Sequence, residues 1–264
     1  MSFFTGLDIG STAAKVVVLD EGALLERFVL PTGWSSKETA GEIARRLAAA
    51  GYPADQAKKI VATGYGRISV DYAHKVVTEI TCHGRGGSAL AGEDCTVVDI
   101  GGQDTKVITV EGGTPASFLM NDKCSAGTGK FLEVMANRLG VDLGELFTLA
   151  AQGTPLEISS MCTVFAESEV ISHIGAGESR ADIAAGVVES VITKVAGLCA
   201  RHGLKGRVVL TGGLCESAYV VDRLSKKLGT PVYAEPLGRY AGALGAALIA
   251  RGMPAGAPFR PAAG

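Results

Sequence analysis

Cys124 stands in the stretch Asn121–Phe131, NDKCSAGTGKF, and Cys162 opens a second stretch, CTVFAESEVISH. The GTGK ending of the first invites a phosphate-loop reading, which needs Gly, four residues, then Gly-Lys-Ser/Thr. Cys124 occupies the place of the first Gly and Phe131 that of the Mg²⁺-holding hydroxyl, so a P-loop is rejected and Lys130 is left on the following helix. Apolar Phe131, Leu132, Met135 and Leu139 recur at helical spacing after Cys124, with Thr128 or Ser125 as the expected N-cap. Val164, Phe165, Ile171 and Ile174 suggest a helix starting beside Cys162. A helix N-terminus favours an anion, whether a thiolate or a negatively charged cluster. From the residues alone three readings stay open: buried structural cysteines, a nucleophile, or metal ligands. A nucleophile wants a neighbouring base, and no Cys-His pairing is readable. The remaining cysteines include no C-x-x-C pair; Cys95 and Cys199 read as core, and Cys82 and Cys215 as poorer ligand candidates.

Aspartates supply a second chemistry. GLDIGSTAAKVVVLD (6–20) and VVDIGGQDTKVITVE (97–111) align so that Asp8 meets Asp99, Ile9 meets Ile100, Gly10 meets Gly101 and Lys15 meets Lys106. Each is a strand ending in Asp, a turn of Gly and polar residues, and a β-branched strand leading to another turn, the first at Glu21-Gly22. Backbone N–H groups in such turns form an anion-binding concavity, and a strand-end Asp can hold Mg²⁺. Two facing copies would clamp a polyphosphate. In this scheme Asp8 and Asp99 organise Mg²⁺ and water. Gly10, Ser11, Thr12, Gly101 and Gly102 bind phosphates, and Gln103 or Asp104 orients the attacking water. Lys15 and Lys106 are weaker candidates for phosphate charge. RVVLTGG, ending in Gly212-Gly213, and the Gly-rich entry to a small-residue helix at Gly242 are expected at the adenosine.

The elements that must position these residues read as α/β. Ser35-Ser-Lys-Glu38 is a capping box for a helix ending near Gly51. Residues 1–94 are expected to form one lobe and 95–264 a second, with a Pro/Gly/Ala-rich tail after Gly252. With 25 basic and 27 acidic residues, net −2, and no basic run, the chain shows no nucleic-acid footprint. No membrane span or secretion signal is expected, which points to a reducing, cytoplasmic compartment. The 36 glycines fit many close backbone approaches, often around a ligand.

The order DIGST, DIGGQDT, TGG resembles the two-lobed ATPase fold shared by actin, sugar kinases and large chaperones, here in minimal form. GLDIGSTAAK, ATGYGR (62–67), TEITCHGRG (78–86), DIGGQDTK, NDKCSAGTGKFLEVMA and CTVFAESEVISH are similar to the activator family of 2-hydroxyacyl-CoA dehydratases, which includes ATPase subunits of benzoyl-CoA reductases. The match runs from residue 6 to about 250. The resemblance implies that Cys124 and Cys162 of each chain in a homodimer together ligate one [4Fe–4S] cluster. It also implies ATP/ADP and Mg²⁺ at the clamp, ferredoxin or flavodoxin as electron donor, and an iron–sulfur dehydratase, reductase or double-cubane protein as acceptor. A small-molecule kinase of the same fold is the alternative, and a nucleotide-sensing module without turnover a third. Neither has use for two cysteines at helix starts.

Overall fold

In the computed structural model, residues 2–21, 23–158 and 162–252 are described; the tail after Gly252 and the turn at Gly22 lie outside them. The chain runs through β1 (Phe4–Ile9), β2 (Ala13–Leu19), β3 (Leu24–Pro31), α1 (Ser36–Ala49), β4 (Lys59–Thr63), β5 (Lys75–Val76) and α2 (Glu79–Ala91). It continues with β6 (Cys95–Ile100), β7 (Thr105–Glu111), β8 (Thr114–Asn121), α3 (Gly129–Leu139), α4 (Leu143–Ala150), α5 (Thr163–Gly175) and α6 (Arg180–His202). β9 (Arg207–Thr211), α7 (Ala218–Leu228), β10 (Val232–Ala234) and α8 (Ala241–Arg251) complete it. Two five-stranded mixed sheets result, in the orders β3-β2-β1-β4-β5 and β10-β9-β6-β7-β8.

The sequence repeat is a structural repeat. Asp8 pairs across an antiparallel ladder with Lys15 and across a parallel one with Thr63; Asp99 pairs likewise with Lys106 and Thr211. Gly10 N–H donates to Ala13 O, and Gly101 N–H to Asp104 O, closing the same turn in both copies. Gly64 and Gly212 each follow the parallel partner at positive φ, +89° and +84°, against the carbonyl oxygens of Ile9 and Ile100. A Cβ would lie 2.3 Å from either oxygen, so only glycine fits.

Helix α1 begins as its cap predicts: Ser35 Oγ accepts from Glu38 N–H at 3.3 Å, and the chain leaves the helix through Gly51 at φ +87°. Its buried Ala40, Ile43 and Leu47 fill the core on one face of the first sheet. α8 covers the opposite face of that sheet, and α2 covers the second sheet. The two helices meet through glycines: a Cβ on Gly86 would lie 1.9 Å from Ala241 O, and one on Gly245 1.8 Å from Cys82 O. The lobes therefore interlock. α2, which precedes residue 94, packs on the second sheet, and α8, near the chain end, returns to the first. α6 is long and apolar enough to cross a membrane, yet its Ile183, Val187, Val191, Ile192 and Val195 are buried in the core beneath the second sheet.

Candidate functional site

Asp8 and Asp99 come together at the floor of a cleft of about 580 Å³ between the two sheets. Both are buried, at 3% and 2% exposure. The turns after them face each other: Gly102 packs so closely on Thr12 that a Cβ there would stand 2.4 Å from Thr12 Oγ1. Gly10, Ser11, Thr12, Lys15, Gly101, Gly102, Asp104, Lys106, Gly212 and Gly213 all line the cleft.

The two carboxylates are not equivalent. Thr211 Oγ1 donates to Asp99 Oδ1 at 2.8 Å, and Lys106 Nζ stands 3.6 Å from Asp99 Oδ2. Burial works against ionised Asp99, but His83 and Lys106 overcome it and hold its carboxyl well below the usual range. Around Asp8 the counterpart hydroxyl, Thr63 Oγ1, is buried and lies toward the Cys82 thiol, with no hydrogen bond to the carboxylate. The nearest cations, Lys15 Nζ and His83 Nε2, stand 3.7 and 3.8 Å from Asp8 Oδ2, beyond hydrogen-bonding distance. Asp8 is thus the carboxylate with coordination capacity left, and the donor set fits a hard divalent cation bound chiefly there.

Lys106 is fully engaged. It contacts Asp104 Oδ2 at 2.8 Å and Glu79 Oε2 at 3.0 Å, and is 3% exposed. Burial disfavours its charge, yet Asp99, Glu79 and Asp104 raise its pKa above the ordinary lysine value. It neutralises the floor, and Lys15 is the other lysine that lines the cleft. Asp104 also accepts from Tyr65 OH at 3.2 Å, a bond from the first lobe to the second. Gln103 is exposed and does not line the cleft. Gly242 also lies off the cleft wall: a Cβ there would press within 2.7 Å of His83 Nε2 and 2.8 Å of Asp8 Oδ2, so its smallness serves close packing behind the carboxylates.

Sequence reasoning missed the residues that α2 delivers. His83 Nδ1 faces Asp99 Oδ1 at 3.3 Å, at an angle that leaves it without a well-formed hydrogen bond, while Nε2 faces Asp8. Burial disfavours its protonation, but Asp99 and then Asp8 shift its pKa upward overall. Leu143, Gly144 and Phe147, also unforeseen, line the same cleft, together with Leu214 and Arg239.

The cysteine loop abuts this cleft. Gly129 N–H donates to Gly101 O at 2.9 Å, Lys130 N–H to Gly102 O at 2.8 Å, and Thr105 Oγ1 to Gly127 O at 2.7 Å. The first two donors of α3 therefore bond the Gly101-Gly102 turn, whereas the sequence reading left them for an anion at Cys124. Thr128 occupies the N-cap position, but its hydroxyl donates to Ser125 O instead of capping. Lys130 Nζ pairs with Glu133 at 3.1 Å and does not line the cleft. Cys162 is itself the N-cap of α5, with no side-chain cap before it. Ser125 Oγ and Thr163 Oγ1 are 2.8 Å apart, so the residues after the two cysteines touch. Cys124 and Cys162 are exposed and the other four cysteines buried. Burial pushes the Cys82, Cys95 and Cys215 thiols up to about 12 and Cys199 to about 11. Phe131, Leu132, Met135 and Leu139 are core, as their spacing predicts. Val164, Phe165, Ile171 and Ile174 are not: they are 45–66% exposed, and α5 buries Ala166 and Val170 instead.

Residues 5–250 match the model of the BadF/BadG/BcrA/BcrD ATPase family. The chain belongs to that family. It is 45% identical over 254 residues to the (R)-2-hydroxyglutaryl-CoA dehydratase activating ATPase of Acidaminococcus fermentans, covering 95% of this chain and 98% of the relative. It is 40% identical to the 2-hydroxyisocaproyl-CoA dehydratase activator of Clostridioides difficile, over 93% of each. A solved structure of the activator of 2-hydroxyisocaproyl-CoA dehydratase from Clostridium difficile with bound ADPNP superposes with a TM-score of 0.89 at 39% identity, over 95% of this chain and 94% of that one. A ROK-family glucokinase from Streptomyces griseus, 17% identical with a TM-score of 0.58 over 95% of this chain and all of that one, shares the fold alone. The fold is the actin-like, sugar-kinase-like ATPase fold, and the role these likenesses assign is that of an ATPase activator.

Proposed function

We propose that the chain is an ATP-dependent activator that passes a low-potential electron to an iron–sulfur dehydratase or reductase acting on a CoA thioester. The observation that carries the reading is the direct bonding of the phosphate turn, through Gly101, Gly102 and Thr105, to the loop that bears Cys124. Asp8 holds Mg²⁺, with Asp99 as its charge-balanced neighbour. Ser11, Thr12 and the Gly101-Gly102 backbone hold phosphates, and the apolar end by Phe147 and Leu214 takes the adenine. Of Gln103 and Asp104, Asp104 lies in the cleft and is the better placed to orient water, through the lone pairs left by Lys106 and Tyr65. When ATP closes the clamp, the turn draws on the first residues of α3 and re-aims the cysteine loops. The two lobes interlock at α2 and α8, so closure is a hinge motion about that pair.

Cys124 and Cys162 are soft thiolate donors of the kind a [4Fe–4S] cluster takes, four at a time. Among the described residues no group of three or more metal-ligating side chains forms, so one chain offers half a set. The exposed stripe Val164, Phe165, Ile171 and Ile174 beside Cys162 gives a second copy an apolar face to cover. The cluster, when bound by such a homodimer, supplies one-electron carriage. Ferredoxin or flavodoxin is the donor, and the cytoplasm the compartment. Anaerobic purification tests the reading: brown protein that hydrolyses Mg-ATP is expected. Colourless protein that phosphorylates a small alcohol would identify the kinase alternative, and colourless protein without turnover the sensing module.

A further inference from the structure

A second cavity, of about 280 Å³, opens beside Cys124 and shares no wall residue with the nucleotide cleft. Thr105, Asn121, Gly127, Lys194 and Arg201 are among its walls. Its neutral polar groups are already engaged in holding the cysteine loop. Asn121 Nδ2 donates to Cys124 O at 2.8 Å and Ala126 O at 3.2 Å, and Thr105 Oγ1 donates to Gly127 O. Gly127, at φ +93°, lets the Lys194 stem pack against the loop, since a Cβ there would lie 3.0 Å from Lys194 Cβ. The cations are not engaged. No Asp or Glu lines the cavity, and no described acid pairs with Lys194 or Arg201. Asp122 and Lys123, both exposed in the loop before Cys124, carry opposite charges and leave the balance to Lys194 and Arg201. Lys194 and Arg201 lie two turns apart on α6, a rise of about 10 Å. That spacing suits two carboxylates of an acidic protein surface better than one small anion.

We propose that this cavity is the docking socket for the acidic carrier protein that delivers electrons, with carboxylates of the carrier received at Lys194 and Arg201. It rests on the reading of Cys124 as a cluster ligand. One electron per encounter would pass from the reduced carrier to the group that Cys124 and Cys162 would hold; no bond is made or broken and no proton moves. Docking there would bring the carrier against the loop that bears Cys124, one of the two thiolates that would hold the accepting group. Thr105, which follows Asp104 in the phosphate turn, forms part of the floor.

The test uses an acidic ferredoxin and the full-length protein, with and without its metal. Carbodiimide coupling should join Lys194 to an Asp or Glu of the ferredoxin. The double variant Lys194→Glu/Arg201→Glu should lose that cross-link, weaken binding by about tenfold or more, and flatten its dependence on salt. Iron content, ATP turnover and reduction by dithionite should stay at wild-type levels, because neither residue lines the cleft or is a thiolate, and glutamate at 194 keeps the Cβ–Cγ stem that packs at Gly127. Wild-type ferredoxin affinity in the double variant, or a Lys194 cross-link to a second copy of this chain, would overturn the proposal. Since binding is read without metal as well, a wild-type protein that holds no iron would count against the cluster reading alone.

Discussion

Adding a single methyl at Gly102 would force the two phosphate turns apart. The new Cβ would stand 2.4 Å from Thr12 Oγ1, 2.5 Å from its Cγ2 and 3.0 Å from its Cβ. Ordinary carbon contacts begin near about 3.5 Å, so the turns must separate by about 1 Å. Overpacking of this kind costs about 1–3 kcal/mol. A 1 Å misplacement of groups that position a reacting phosphate costs on the order of a hundredfold in rate. Gly102→Ala should therefore lower kcat/KM for Mg-ATP hydrolysis by between tenfold and a hundredfold, on the order of 1.4–2.8 kcal/mol. Thr12→Ala removes the two closest obstructing atoms. Against that background the same Gly102→Ala change should cost less than about threefold, a non-additivity that a double-mutant cycle reads directly. Wild-type turnover in Gly102→Ala, or an undiminished penalty in the Thr12→Ala background, would show that the turns do not meet in the working enzyme.

Asp8→Asn should lower Mg-ATP turnover by about tenfold or more and raise the Mg²⁺ concentration needed for half-maximal rate, whereas Asp99→Asn should lower turnover with a smaller change in Mg²⁺ demand, because Asp99 is already paired; steady-state rates across a Mg²⁺ titration separate the two. Lys130→Ala should leave ATP affinity within a few-fold, measured by calorimetry, since its ammonium pairs with Glu133; a loss on the order of a hundredfold, about 2.7 kcal/mol, would restore the phosphate-loop reading. In metal-free protein at pH 8, iodoacetamide should label Cys124 and Cys162 rapidly and Cys82, Cys95, Cys199 and Cys215 only on unfolding. Burial raises those four thiol pKa values, so their thiolates are scarce at that pH and gain only as pH rises. Peptide mapping of the label checks this, and fast labelling of Cys82 would contradict the packing at Gly245.

The clamp was legible because its two halves use the same residues in the same order, and a repeated Asp-Ile-Gly turn has one backbone solution. The parallel half of the repeat, Thr63-Gly64 and Thr211-Gly212 at matching strand ends, escaped the sequence reading, because a shared Thr-Gly pair is too short to announce a repeat. The helix start at Ser35 followed from its cap, whereas Thr128, one of two expected caps, holds the N-cap position without capping. What failed were long-range placements. His83 reaches the two aspartates, and Glu79 reaches Lys106, only because α2 packs on the second sheet, with Gly87 against Val97, and no spacing along the chain encodes that. Gly242 looked like a ligand glycine because small residues serve a nearby ligand and a nearby helix alike. The periodicity of Val164, Phe165, Ile171 and Ile174 announced a helix correctly but could not say whether the apolar face meets this chain or another. The use of α3's first two N–H groups by Gly101 and Gly102 likewise depends on where the turn folds, so those two donors do not serve an anion at Cys124.

Iron content measured together with oligomeric mass, anaerobically, on wild type and on the Cys124→Ala and Cys162→Ala variants, bears most directly on the central claim. Four thiolates are needed and each chain brings two, so the account predicts about four irons per dimer. It also predicts none in either variant, and a weaker dimer once the metal is stripped. About four irons on a monomer, or iron retained in Cys124→Ala, would contradict it.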